Sequence, residues 1–141
     1  MISRVTLVSL ALCLFAGGAM AQSANNGVIQ GYAALRDMDL LTCRTMSLSA
    51  RLATDRAPNS ADAEKTKREY WDCLSKASKE AKEALPKAIS STKSKDVKDA
   101  LKTYYAAWDA YLGDLDKRQS KTLKDNYETA KSKLDVELLT E

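Results

Sequence analysis

The chain has 141 residues, enough for one domain with a modest core. With 29% charged and 45% hydrophobic residues but only 5 glycines, 2 prolines and no histidine, its composition favours helix and argues against a sandwich or barrel. The net charge of +3, with basic residues interleaved among acidic ones, gives no electrostatic footprint for nucleic acid.

Residues 1–21 read as a secretory signal peptide. Arg4 supplies a short positive start, Val5 to Phe15 an apolar run, and Ala19-Met20-Ala21 a small-x-small cleavage pattern. The expected mature domain is 22–141, periplasmic or secreted, with no stable membrane insertion after cleavage. Removal of the signal takes Cys13 with it and leaves Cys43 and Cys73. Two cysteines in an exported chain are expected to pair, because the compartment is oxidising.

In the first predicted helix, Val28, Tyr32, Leu35, Cys43, Met46, Ala50 and Ala53 fall on one stripe at 100° per residue. Leu41, Thr45, Leu48 and Leu52 fall on an opposed face, so this helix is expected to touch two neighbours. Asn25 or Asn26 is its expected N-cap. Pro58 ends the helix, since it disfavours helical geometry at Ala57.

The second predicted helix is capped by Asn59 or Ser60, with Asp62 facing the helix dipole. Its stripe is Ala63, Tyr70, Cys73, Leu74, Ala77, Ala81, Ala84, Leu85 and Ala88, with i,i+4 pairs Glu64–Arg68, Asp72–Lys76 and Glu83–Lys87 on the outside. The two helices form an antiparallel hairpin about Pro58-Asn59. Cys43 and Cys73 each lie about fifteen residues from that turn, roughly 22 Å along the helix, so they stand level and on the inward stripes. This predicts a Cys43–Cys73 disulfide, worth about 3–4 kcal/mol for a loop of about thirty residues.

Pro86 is expected to kink the second helix or end it near Leu85. Residues 90–96 read as the next connection, with Ser94 as a cap. Beyond it, Val97, Leu101, Tyr104, Trp108, Tyr111, Leu112 and Leu115 share one face, and Leu123, Tyr127, Ala130, Leu134 and Leu138 another. One long third helix is favoured, because Gly113 costs only about 1 kcal/mol in a helix. A break between Gly113 and Ser120 gives four helices instead. The expected fold is therefore an all-α, antiparallel up-down bundle of three long helices, the third bent or split to give four, with the first two joined by one disulfide.

Little in the chain carries chemistry. Without histidine there is no Ser-His-Asp or Cys-His set, and no Gly-rich phosphate loop, CxxCH or HExxH occurs. Paired cysteines leave no thiol, and no metal or cofactor is expected. Asp109, Asp114 and Asp116 lie on different helix faces and read as solvated charges. Asp39 falls on the inward stripe level with Ala77, where a lysine or arginine of a neighbouring helix is its expected partner. Gly27-Val28-Ile29-Gln30-Gly31 matches GxxxG, a weak signal outside a membrane span.

Trp71, Tyr105 and Ile89 sit at stripe edges and are the candidate surface for a protein partner. The expected function is non-enzymatic protein binding in the cell envelope or outside it, as an inhibitor, immunity protein, adaptor or chaperone. The alternative is a small-ligand carrier with a pocket lined by Asp39, Tyr104, Trp108 and Tyr111. The oligomeric state is not set by these patterns.

Overall fold

The computed structural model describes residues 16–115 and 120–140, with side chains described from Asn26 onward. The chain's first fifteen residues, and with them most of the signal segment, lie outside the described residues, as does Asp116. Four helices follow one another: α1 (Ala16–Arg56), α2 (Ala61–Ser90), α3 (Lys95–Leu112) and α4 (Lys121–Thr140). They pack as two hairpins, α1 on α2 and α3 on α4, with fewer backbone contacts between the hairpins.

The first hairpin turns at Ala57 to Ser60. The Ser60 hydroxyl accepts from the Ala63 N–H at 3.1 Å, so Ser60 rather than Asn59 is the N-cap. Cys43 and Cys73 form the expected disulfide, with Cα atoms 5.6 Å apart. α2 does not end at Leu85. It runs through Pro86 to Ser90, leaving the exposed turn at Lys82 without one backbone donor. Its narrow alanine stripe, Ala63, Ala77, Ala81 and Ala88, is buried and lets α1 come close. The ion pairs formed on α2 are Lys67–Glu64, Lys65–Glu69 and Lys76–Glu80, so Glu64 and Lys76 take other partners than the i,i+4 pattern suggested.

Ser94 caps α3, its hydroxyl accepting from the Val97 N–H. The last third of the chain is two helices, not one. α3 stops at Leu112 with Gly113 as its C-cap, and the reason lies in Asp114. This aspartate is buried, and its Oδ2 accepts from the Ser120 N–H at 2.7 Å. This bond ties the end of α3 to the start of α4, which a continuous helix could not do. Asp114 is thus a cap rather than a solvated charge.

The core lies where the hairpins meet. Trp108, Tyr104, Ile29, Leu101, Leu112, Leu134, Val97 and Cys43 are its largest fully buried side chains. The stripes of α3 and α4 are buried as their spacing predicts. That of α1 is not. Val28 and Leu35 are exposed, and Ile29, Arg36, Leu40 and Ser47 take the inward positions beside Tyr32, Cys43 and Ala50. Nor does Asn26 cap α1, which passes through it; the Asn26 side chain instead donates to the Leu138 carbonyl of α4 at 3.3 Å.

Candidate functional site

The two sides of α1 are built from opposite materials. On the inner side the Arg36 side chain is almost wholly buried, only 3% exposed. Its guanidinium lies 5.1 Å from the Tyr32 ring centre and 5.5 Å from that of Trp108, so two aromatic faces replace water around the charge. Arg36 Nε lies 2.9 Å from Asp39 Oδ2, one turn along the same helix. Asp39 therefore finds its partner on α1, not on a neighbouring helix. Burial raises the Asp39 carboxyl above its usual range, with Arg36 pulling the other way. The Arg36 carbonyl accepts from the Trp108 indole N–H at 2.9 Å, tying α1 to α3. Tyr32 donates to the Ala81 carbonyl of α2 at 3.2 Å, and burial pushes its phenol up to about 12.

Asp37 anchors a second cluster. Its carboxylate accepts from the Tyr127 hydroxyl and pairs with Lys131, both on α4. Tyr104 of α3 donates to the Ala33 carbonyl at 3.1 Å, with Asp37 Oδ1 at 3.4 Å. Burial raises both phenols well above the ordinary value. Farther along, Ser47 donates to the Leu115 carbonyl at 3.2 Å. Tyr32, the Arg36 carbonyl and Asp37 thus join α1 to α2, α3 and α4, whereas the Arg36–Asp39 pair stays within α1 and leaves Arg36 Nη1 without a hydrogen bond among the described residues.

The outer side of α1 is apolar and open. Leu35, Met38, Leu41, Leu48 and Leu52 are exposed, Leu41 to 69%. Met38, Leu41, Thr45, Leu48 and Leu52 are spaced 3-4-3-4, the rhythm of a helix seam. Gly27 and Gly31 continue it toward the N-terminus, with no atom near enough to crowd an added Cβ. From Asn26 to Thr54 the charged residues are Arg36, Asp37, Asp39, Arg44 and Arg51, and at 100° per residue none falls within this face. Its two flanks differ. Arg44 and Arg51 run along the side toward α4 and make no ion pair among the described residues. The other side opens into a groove of about 370 Å³ between α1 and α2, lined by Thr42 and Met46 and by the carboxylates of Asp39, Glu69, Asp72 and Glu80 around Lys76.

Of the residues proposed for a partner surface, Trp71 is 57% exposed and packs at a tilt against Tyr70, with ring centres 5.4 Å apart. Tyr105 and Ile89 are half-buried against the core; Tyr105 stacks on Trp108 at 6.3 Å. Of the proposed pocket residues, Tyr104, Trp108 and Tyr111 are buried in the packed core, while Asp39 lies on the α1–α2 groove, which none of the three aromatics lines. Asp109 accepts from the Ser78 hydroxyl at 3.0 Å. Among the described residues, no three Cys, Asp or Glu side chains converge as a metal site, and no helix is long and apolar enough to cross a membrane. Arg36, Asp37 and Lys131 escape a reading by helical stripes, which finds Tyr127 only as a core residue. The signal that could have found Arg36 is its phase, which on an ideal helix lies within about 40° of Tyr32 and about 20° of Cys43, on the buried side.

No protein-family model matches the chain, and neither a curated protein nor a solved structure shows significant similarity to it.

Proposed function

We propose that this is an exported protein that works by contact with protein rather than by catalysis, and that the outer face of α1 is the contact surface. One observation carries the reading. A face running from Val28 to Leu52 is uncharged, exposes Val28, Leu35, Met38, Leu41, Leu48 and Leu52, and, among the described residues, has no helix of its own bundle against it. An exposed apolar patch of this extent on a small domain marks an interaction site. The disulfide fits an oxidising compartment, where such contacts occur in the envelope or outside the cell. The bonds from Asp37, Tyr32, Tyr104 and Trp108 to other helices support a scaffolding role for these clusters. Trp71, exposed on α2, is a separate candidate contact.

The test is retrieval of the tagged protein from its native envelope and medium, in wild-type form and as Leu41→Asp and Trp71→Ala. The reading expects a stoichiometric protein in the wild-type eluate that Leu41→Asp loses. Identical eluates from all three would remove α1 as the surface. A carboxylate-dependent turnover of an envelope substrate would replace binding with catalysis.

A further inference from the structure

We infer that the outer face of α1 is covered by a second copy of this chain, paired parallel and in register about a two-fold axis. The inference rests on the reading of that face as a protein-contact surface and names its occupant. Three features of the face point to it.

The first is the seam itself. Met38, Thr45 and Leu52 recur every seven residues, and Leu41 and Leu48 recur between them. Taken as a and d positions, this places leucine at both d sites, as two parallel strands prefer, with methionine, threonine and leucine at a. Gly27 and Gly31 lie on the same side and present no side chain to hold a partner helix away.

The second is charge. In a parallel pair, the flank beside the a positions of one helix meets the opposite flank of the other. Here those flanks carry opposite charge. Arg44 and Arg51 stand on one, and the carboxylates of Asp72 and of Glu69, whose own pair with Lys65 is exposed at 3.8 Å, rim the groove beside the other. The Cys43–Cys73 bridge fixes the register of α2 against α1, so Asp72 lies level with Arg44, and Glu69 between Arg44 and Arg51. In-register pairing keeps levels the same in both copies. It therefore brings the arginines of each copy to the acidic groove of the other, twice, by symmetry.

The third is what the alternatives would do. Antiparallel pairing about Thr45 sets Arg44 against its own copy and brings Arg51 to Asp37, whose carboxylate is already held by Tyr127 and Lys131. An anionic lipid surface would meet the acidic groove along one whole flank.

Sedimentation equilibrium of the full chain, across a wide concentration range and at two salt concentrations, tests the association. A monomer–dimer equilibrium that weakens with salt is expected. Leu41→Asp and, independently, Leu48→Lys should each abolish it while leaving the helical circular dichroism unchanged. Arg44→Glu with Arg51→Glu should weaken it at least tenfold, and adding Glu69→Lys with Asp72→Lys should restore it. Register is read with a short bismaleimide, which spares the existing disulfide. Met38→Cys and Leu52→Cys should each cross-link to themselves, and an equal mixture should give few Met38→Cys to Leu52→Cys products. Preferential cross-linking between the two would overturn the parallel arrangement. A monomer at every concentration, or a dimer indifferent to Leu41→Asp, would overturn the inference, as would a monomer that binds phosphatidylglycerol vesicles through this face. The first of these leaves the protein-contact reading standing if Leu41→Asp still loses a retrieved protein, and removes both if it does not.

Discussion

The inner side of α1 buries polar groups among its apolar ones, while the outer side exposes large apolar groups. Inside lie Arg36 and Ser47; outside lie Leu35, Met38, Leu41, Leu48 and Leu52. The difference teaches that commitment, not hydrophobicity, distinguishes them. Each inner group has found fixed company: Arg36 has two rings and a carboxylate, Ser47 a carbonyl. A buried polar group so furnished is tolerated. The outer leucines have no such company within the bundle, and apolar area in water is a standing driving force for association.

That contrast can be broken by substitution. Trp108→Ala should be the costliest inner change, about 3–5 kcal/mol, because it empties a fully buried site and removes one wall around Arg36. Urea unfolding would measure it. Reducing the Cys43–Cys73 bridge should cost about 3–4 kcal/mol, read as a fall in Tm with dithiothreitol. Arg36→Ala should cost about 3 kcal/mol by stranding Asp39, and the double change Arg36→Met with Asp39→Leu should recover most of it, since removing both partners leaves no lone charge. Little recovery would mean that the guanidinium's contact with the rings dominates.

Tyr32→Phe is a smaller probe, about 1 kcal/mol at neutral pH for one hydrogen bond. Its pH signature is more telling. The folded phenol is raised to about 12 from 10, so above pH 10 the unfolded chain loses this proton before the folded chain does. Stability should therefore fall from pH 10 toward pH 12, and Tyr32→Phe should flatten part of that fall. Equal slopes for the two proteins would show that Tyr32 does not titrate differently on folding. The smallest effect belongs to the outer side. Leu41→Asp should change the stability of the dilute monomer by less than about 0.5 kcal/mol, because little of that side chain is buried.

Much of this fold was legible in the sequence. The disulfide followed from two cysteines equidistant from Pro58, and the faces of α3 and α4, and most of that of α2, followed from period; Ala84, read into the α2 stripe, is exposed. α1 was misread because two faces both looked apolar. Counting by residue type promoted Val28 and Leu35 to the core and passed over Arg36, whose aliphatic stem and flat head make it a good filler between rings. The break after Leu112 was offered by Gly113 but decided by Asp114, whose reach to Ser120 no periodicity encodes. Asp37 was silent for a similar reason. Its partners Tyr127 and Lys131 lie some ninety residues away, on a helix whose placement had to be known first.

The hairpin turn has a consequence for survival among proteases. Ala57, Pro58 and Asn59 are exposed and lie between two long helices, which makes them the natural place for a peptidase to cut. Yet the covalent tie between Cys43 and Cys73 lies well inside both arms. A chain nicked at the turn would still be one molecule, its halves clasped and refolding as a unit. It would separate into two pieces on a gel only after reduction.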